Sequence, residues 1–267
     1  MQWVIQQNLI NRDDYQRFIT ELDANGATWF PIDVIPFSDE LVLPDGIVNP
    51  VVFMGSTSLQ RMVLSRPEFV PGVWTNSNFS FEVQRQHWGD CMLNADATVF
   101  PFNEIPAFNG VRFIRPVHDT KSFTGMVLSG TEFTDWQKKI IGSHTQMHDE
   151  VPSVVSTWKD IQSEWRFFVI DGVVVTGSHY KGKYRMIVSR IDLDYEVDRE
   201  AFEYAQRCVD VWAPADVFVL DVARIVTERN TTEYRIIEVN SFNCSGMYDS
   251  DVGSIIRAVD KFVGVSS

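Results

Sequence analysis

Two predicted strands near the C-terminus carry side-chain oxygens whose spacing suits a hard metal ion. The stretch VFVLDVARI contains Asp221, and YRIIEVNSFN contains Glu238 and Asn240. Because side chains alternate along a strand, Glu238 and Asn240 lie on one face, and a hairpin between the strands would bring Asp221 beside them. Two carboxylates and an amide oxygen form a donor set suited to Mg²⁺ that bridges nucleotide phosphates.

The same acidic residues have a simpler interpretation. Asp221 and Glu238 could pair with Arg224 and Arg235 as salt bridges on the surface. The spacing alone leaves the metal site and the salt bridges open.

Three cationic residues occur at predicted strand ends or in a turn rich in small residues. They are Arg115 in RFIRPV, Lys121 in HDTKSFTG and Arg166 in SEWRFFVIDG. A lysine acts as a mobile point charge and an arginine as a two-pronged donor, so such a set can clamp a triphosphate and offset charge in a transition state. Any one of them could be a solvated surface charge, but together with the acidic strands they favour a phosphate site.

Other polar clusters have two interpretations each. VVFMGSTS is a buried strand that runs into a helix, and its turn is either an anion-binding helix start or an ordinary N-cap. HYKGKYR is a basic and aromatic cluster that either grips an acidic ligand or ends a strand in solvent. Asn243, Ser245 and Gly246 follow the second acidic strand directly.

The composition excludes several classes of protein. The chain has 267 residues and a formal net charge of −13, which argues against a general nucleic-acid surface. No apolar run reaches the roughly 20 residues of a membrane span, and the start of the chain lacks the pattern of a signal peptide. The three scattered cysteines argue against a disulfide framework or a zinc site. A cytoplasmic location is expected.

The periodicity predicts alternating strands and helices up to about residue 65 and irregular structure over 67–106, with one short helix at 83–94. A compact unit of strands and one helix follows from residue 111. Four strands in quick succession then predict an antiparallel sheet, with Asp171-Gly172 as a tight hairpin turn. A helix, the two acidic strands and a closing helix at 254–263 complete the chain.

The ordered motifs R-P-x-x-D-T-K-S-F-x-G, E-W-R-F-F-V-x-D-G, L-D-V-A-R and I-I-E-V-N-S-F-N resemble the ATP-grasp superfamily. They are most similar to its clade named for two arginines and a lysine. The resemblance spans residue 111 to the C-terminus. It implies an α/β (α+β) fold in which a nucleotide lies between two antiparallel-sheet subdomains, after a small open α/β pre-ATP-grasp domain. The expected domains are residues 1–100 (pre-ATP-grasp), 101–150 (central lid-like subdomain) and 151–267 (C-terminal subdomain with the metal site).

The resemblance also implies roles for individual residues. Mg²⁺ is expected on Asp221, Glu238 and Asn240, and the transferring phosphoryl group or the acyl phosphate at Arg166. The phosphates are expected to contact Arg115 and Lys121. The adenine is expected beside Val155, Ser156, Thr157 and Ile237, and Glu164 is expected to hold the hinge or the ribose. Arg115 departs from the pattern, because many ATP-grasp enzymes have a lysine before this proline.

The implied activity is that of an ATP- and magnesium-dependent carboxylate–amine ligase, which activates a carboxylate as an acyl phosphate for attack by an amine or a similar nucleophile. The implied substrates are small molecules, peptides or protein termini. Two alternatives stay open at this point. One is a kinase-like phosphotransferase that phosphorylates a hydroxyl group, and the other is a nucleotide-binding module without activity.

Overall fold

The computed structural model describes residues 1–8, 12–38, 40–117, 123–141 and 150–266. The first part of the chain forms a parallel sheet of four strands in the order β2-β1-β3-β4. Its elements are β1 (Gln2–Gln6), α1 (Arg12–Ala24), β2 (Thr28–Ile32), β3 (Val51–Met54), α2 (Thr57–Leu64) and β4 (Pro71–Gly72).

Both faces of this first sheet are buried, because strand side chains alternate between two hydrophobic clusters. Trp3 and Ile5 pack with the apolar residues of α1, whereas Val4 and Phe53 pack with those of α2. The predicted alternation of strand and helix in this region is therefore confirmed.

A short helix interrupts the irregular region that follows. The sequence predicted it at 83–94, and this prediction is wrong in position, because α3 spans Phe81–Trp88. The Ser80 side chain caps it by accepting a hydrogen bond from the Val83 amide at 3.4 Å. At the other end Gly89 has a φ of 50°, which stops the helix.

The second sheet is antiparallel and has the strand order β5-β8-β6-β7. Its elements are β5 (Thr98–Pro101), β6 (Val111–Pro116), β7 (Met126–Ser129), α4 (Gly130–Ile141) and β8 (Pro152–Thr157). Phe102, Ile114 and Phe133 form the core between this sheet and α4. The predicted domain boundary at residue 100 falls within β5, and the one at residue 150 falls just before β8. Both boundaries stay predictions.

The third sheet has five antiparallel strands in the order β11-β10-β9-β12-β13. Its elements are β9 (Asp160–Ile170), β10 (Val173–Gly182), β11 (Arg185–Arg190), α5 (Glu196–Val211), β12 (Val217–Val226), β13 (Thr232–Asn240) and α6 (Val252–Ser266). Asp171 and Gly172 join β9 to β10 with φ angles of 50° and 72°, which confirms the predicted hairpin turn.

The helices α5 and α6 cover opposite faces of the third sheet. Phe167 and Leu220 pack in the cluster that contains Ala201 and Ala205 of α5. Phe168 and Val219 pack instead with Ile255 of α6 and with the first sheet. The shared cluster fixes the first and third sheets against each other.

None of the described helices has both the length and the hydropathy that a transmembrane segment needs. The cysteines Cys91, Cys208 and Cys244, all within the described residues, form no disulfide.

Candidate functional site

The register of three neighbouring strands places the predicted acidic and cationic residues side by side. Asp221 in β12 lies opposite Glu238 in β13 on one side and opposite Arg166 in β9 on the other. The Arg166 Nε atom donates to Asp221 Oδ1 at 2.9 Å, and its Nη2 atom donates to Oδ2 at 2.8 Å. This two-pronged contact is the strongest geometry for an arginine–carboxylate pair.

Asn240 completes the cluster from the end of β13. Its Nδ2 atom donates to Asp221 Oδ2 at 3.1 Å and to Glu238 Oε1 at 3.3 Å. The expected meeting of Asp221, Glu238 and Asn240 is therefore present. The surface salt bridges considered as an alternative are not, because Asp221 pairs with Arg166 and Arg235 pairs with Glu233.

Burial dominates the electrostatics of this cluster. Asp221 is only 2% exposed, and burial raises its pKa while Arg166 opposes the rise. Burial also raises the pKa of Glu238, and the charge of Asp221 adds to this, whereas Arg115 lowers it. The pKa of Arg166 is raised, because Asp221 more than offsets the effect of burial. The buried Asp221 thus has the Arg166 guanidinium bound to it, whereas the charges of both Arg115 and Arg166 act on the half-buried Glu238.

The side chains fit a magnesium ion in kind. In the part of the chain that the structure describes, no three His, Cys, Asp or Glu side chains lie close enough to hold a metal by themselves. An oxygen from Asn240 would therefore have to join Asp221 and Glu238. Rotation of the Asn240 amide would present that oxygen, and a divalent cation would offset the buried negative charge.

A cleft of about 530 Å³ lies between the second and third sheets, next to this cluster. Five of the residues predicted to contact a nucleotide or a metal line it: Arg115, Thr157, Glu164, Ile237 and Glu238. These side chains come from β6, β8, β9 and β13, so both sheets contribute walls.

Two of the predicted adenine residues point elsewhere. Val155 packs against the core of the second sheet, and the buried Ser156 donates its hydroxyl to Asn94 Oδ1 at 2.9 Å. Neither is among the residues that line the cleft, although Thr157 is. Lys121 lies outside the described residues. The roles of all these residues stay predictions.

Glu164 is held by two residues of β10. Its carboxylate accepts a hydrogen bond from the Tyr180 hydroxyl at 2.8 Å and forms an ion pair with Lys181 at 2.5 Å. Both partners belong to the HYKGKYR cluster, and Lys181 lines the cleft. The sequence analysis identified this basic and aromatic cluster but did not predict its contact with Glu164.

The sequence analysis did not predict the pair of stacked tyrosines that lies near Arg166. Tyr180 and Tyr248 stack with their ring centroids 4.8 Å apart. The Arg166 guanidinium carbon lies 5.8 Å from the Tyr180 centroid and 5.1 Å from that of Tyr248, within the range of cation–π attraction. No spacing rule links these residues, because the fold brings together β9, β10 and the loop after β13.

A second, larger cavity of about 720 Å³ lies at the carboxyl edge of the first sheet, and we call it the first-sheet cavity. The loop after β13 forms one wall with Asn243, Ser245 and Gly246. Arg166 Nη1 donates to the carbonyl of Gly246 at 3.3 Å, so this cavity borders the cluster described above. Ser56, which also lines it, is an N-cap of α2, because its hydroxyl accepts from the Leu59 amide at 3.3 Å.

Residues 100–258, which make up more than half of the chain, match a family of ATP-grasp domains, the second family of the clade named for two arginines and a lysine. The chain belongs to this ATP-grasp family. The resemblance seen in the motifs and the expected fold class are thereby confirmed. No curated protein matches the sequence.

Solved structures of ATP-grasp ligases share the fold. The D-alanine–D-alanine ligase from Bacillus anthracis is 12% identical with a TM-score of 0.63, over 98% of this chain and 92% of that one. The RimK domain protein ATP-grasp from Sphaerobacter thermophilus is 11% identical with a TM-score of 0.59, over 98% and 99%. The ATP-grasp ligase PsnB, complexed with minimal precursor, Mg and ADP, is 14% identical with a TM-score of 0.55, over 98% and 98%.

Proposed function

We propose that this ATP-grasp protein is an ATP-dependent ligase that activates a carboxylate as an acyl phosphate for attack by an amine. One observation carries the proposal. Arg166, Asp221, Glu238 and Asn240 form one cluster around the buried Asp221. Glu238 lines the cleft, and Arg166 contacts Gly246, which lines the first-sheet cavity. A ligase needs this arrangement, because the nucleotide phosphate and the acceptor carboxylate must be held next to each other beside the same charged residues.

The nucleotide is proposed to occupy the cleft between the second and third sheets. Arg115 would face the phosphates together with Lys121. Thr157 and Ile237 would flank the adenine with the backbone of Val155 and Ser156, and Glu164 would hold the ribose or the hinge. Similar structures support this proposal, since the Bacillus anthracis ligase is described as complexed with ATP and PsnB with Mg and ADP.

Asp221, Glu238 and Asn240 would hold magnesium, which neutralises phosphate charge when it is bound. Arg166 contacts Asp221 on one side and the Gly246 carbonyl on the other. From this position its guanidinium can stabilise charge on the γ-phosphoryl group as the bond to ADP breaks and the bond to the carboxylate oxygen forms. An amine then attacks the acyl carbon, and phosphate leaves.

The acceptor carboxylate and the amine are proposed to bind in the first-sheet cavity. The names of similar structures mention D-alanine in one case and a precursor peptide in another. A small-molecule or peptide substrate is therefore proposed for this chain, and a cytoplasmic location stays a prediction.

The proposal is tested by ADP release with a panel of carboxylates, using hydroxylamine as the nucleophile. An acyl phosphate is expected to appear as a hydroxamate, at a rate that falls about 100-fold or more in Glu238→Gln. Glu233→Gln, a carboxylate near the start of the same strand, serves as the matched control and should keep the wild-type rate.

Other outcomes assign another function. A stable phosphorylated product that forms without hydroxylamine or an amine would make the chain a phosphotransferase. Nucleotide binding without ADP release across the panel would contradict the ligase and leave a nucleotide-binding module.

A further inference from the structure

We infer that the substrate in the first-sheet cavity carries a bulky apolar group, and that Phe37 is a specificity-determining residue for it. The inference rests on the proposed function, because it concerns the acceptor that the ligase would activate. It adds a chemical class that neither the family nor the similar structures define.

The cavity is large and mainly apolar. Its volume of about 720 Å³ lies in the range of roughly 300–1,000 Å³ that holds drug-sized ligands. Tyr15, Phe18, Met54 and Met247 are among the side chains that form its walls. A single small amino acid would leave much of this surface in contact with water, whereas a bulky apolar group would cover it.

Two residues at this cavity are apolar and open to solvent. Ile35 is 53% exposed and Phe37 is 110% exposed, although both line the cavity. Exposed apolar residues grouped around a cavity indicate a surface that a ligand covers. Bound ligand would remove both side chains from water.

The backbone of Phe37 points to the same conclusion. Its φ of 64° is in the left-handed region, which bulky residues rarely adopt. Strained conformations of this kind cluster at ligand-binding sites, where the contact they allow offsets their cost. Phe37 thus combines the backbone conformation of a turn residue with a large apolar side chain that the folded chain leaves exposed. We therefore expect its aromatic ring to contact the bound substrate.

Another part of the cavity wall is polar and adjoins the proposed reaction centre. A Cβ atom added to Gly246 would lie 3.7 Å from Asp14 Oδ2 and 3.9 Å from Arg166 Nη1. The reacting carboxylate or amine would therefore lie near Gly246 and the apolar group near Phe37. The cavity fits an amphipathic substrate of this kind, such as a peptide with apolar side chains.

The test measures binding of leucyl-leucine and glycyl-glycine to the full chain by calorimetry. Wild type should bind leucyl-leucine at least about tenfold tighter, because burial of one leucine side chain is worth about that factor or more. In Phe37→Ala, leucyl-leucine should bind about threefold weaker or worse, with glycyl-glycine unchanged. Val48→Ala is the control, since Val48 is 61% exposed in the same segment between β2 and β3 and does not line the cavity.

Equal affinity of wild type for the two dipeptides would overturn the inference, as would an unchanged preference in Phe37→Ala. Because Phe37 is fully exposed, Phe37→Ala should keep the wild-type unfolding midpoint. An unchanged midpoint would exclude a folding defect as the cause of weaker binding. Stabilisation by magnesium-ATP is measured on the same samples. Its absence in wild type would contradict the proposed function, whereas a lost dipeptide preference with intact nucleotide binding would contradict only the inference.

Discussion

Arg166 is the residue on which the proposed chemistry depends most. It donates twice to Asp221, once to the Gly246 carbonyl, and lies near the rings of Tyr180 and Tyr248. These contacts fix a positive charge between the cleft and the first-sheet cavity. A planar guanidinium makes all of them at once, and an ammonium group does not.

Arg166→Lys should therefore reduce carboxylate-dependent ADP release by about 100-fold, because it keeps the charge and loses the fixed geometry. Arg185→Lys, at an exposed position of β11, is the matched control and should retain the wild-type rate. Steady-state kinetics of both variants provide the measurement. A fall of less than about threefold in Arg166→Lys would show that the guanidinium has no role in the transfer.

The surroundings of His179 predict that stability depends on pH. Its ring stacks on Trp165 with the centroids 4.9 Å apart, and its buried Nε2 atom has no hydrogen-bond partner among the described residues. Burial lowers the pKa of His179, while the charge of Asp198 and a hydrogen bond that the His179 ring donates to the Lys181 backbone oppose this. The unfolded chain thus binds a proton more readily than the folded chain.

The free energy of unfolding should therefore be highest above the ordinary histidine pKa of about 6.5 and fall as the pH drops below it. His179 can contribute at most about 1.4 kcal/mol per pH unit to this fall. Urea denaturation is measured between about pH 8 and about pH 5, the usual range of histidine titration. The free energy of unfolding should decline less steeply in His179→Gln than in wild type. The exposed His87→Gln should follow wild type, and an identical decline in all three proteins would refute the assignment.

At the scale of elements, strand alternation and the tight turn were readable from the sequence. The period of two placed Glu238 and Asn240 on one face, and the hairpin partner brought Asp221 to them. Such features depend on neighbours within about twenty residues. Arg166 was recognised as a cation, but its partner was not, because β10, β11 and α5 lie between β9 and β12 in the chain.

The first-sheet cavity and the tyrosine pair also lay beyond sequence analysis. The cavity walls come from the first sheet, α1 and the loop after β13, and Tyr248 lies 68 positions after Tyr180 in the chain. Contacts of this kind depend on how whole sheets pack. The misplaced helix α3 has a local cause instead, since the cap at Ser80 was not recognised.

The end of α3 offers a test at this scale. Gly89 has a φ of 50°, so Gly89→Ala should lower the free energy of unfolding by about 1–2 kcal/mol. Gly264→Ala is the control, because Gly264 lies within α6 with open space around its Cβ position. That variant should leave stability unchanged or raise it by up to about 1 kcal/mol. Equal effects of both substitutions in urea denaturation would contradict the assigned helix end.

At the scale of the whole molecule, the described residues form three sheets, and the charged cluster lies next to both the cleft and the first-sheet cavity. The shared cluster of α6, the first sheet and the third sheet holds the first-sheet cavity in place. The second sheet forms one wall of the cleft, with Arg115 and Thr157. Relative movement of the second and third sheets would change the cleft and leave the first-sheet cavity intact.

We expect the cleft to bind magnesium-ATP through the acidic strands, and the thermal unfolding midpoint can show this binding. Ligand at about 100 times its dissociation constant adds roughly 2.7 kcal/mol, which should raise the wild-type midpoint by roughly 5–10 °C. The rise should require magnesium and shrink in Glu238→Gln but not in Glu233→Gln. If the wild-type midpoint is unchanged at every nucleotide and magnesium concentration, the cleft does not bind magnesium-ATP.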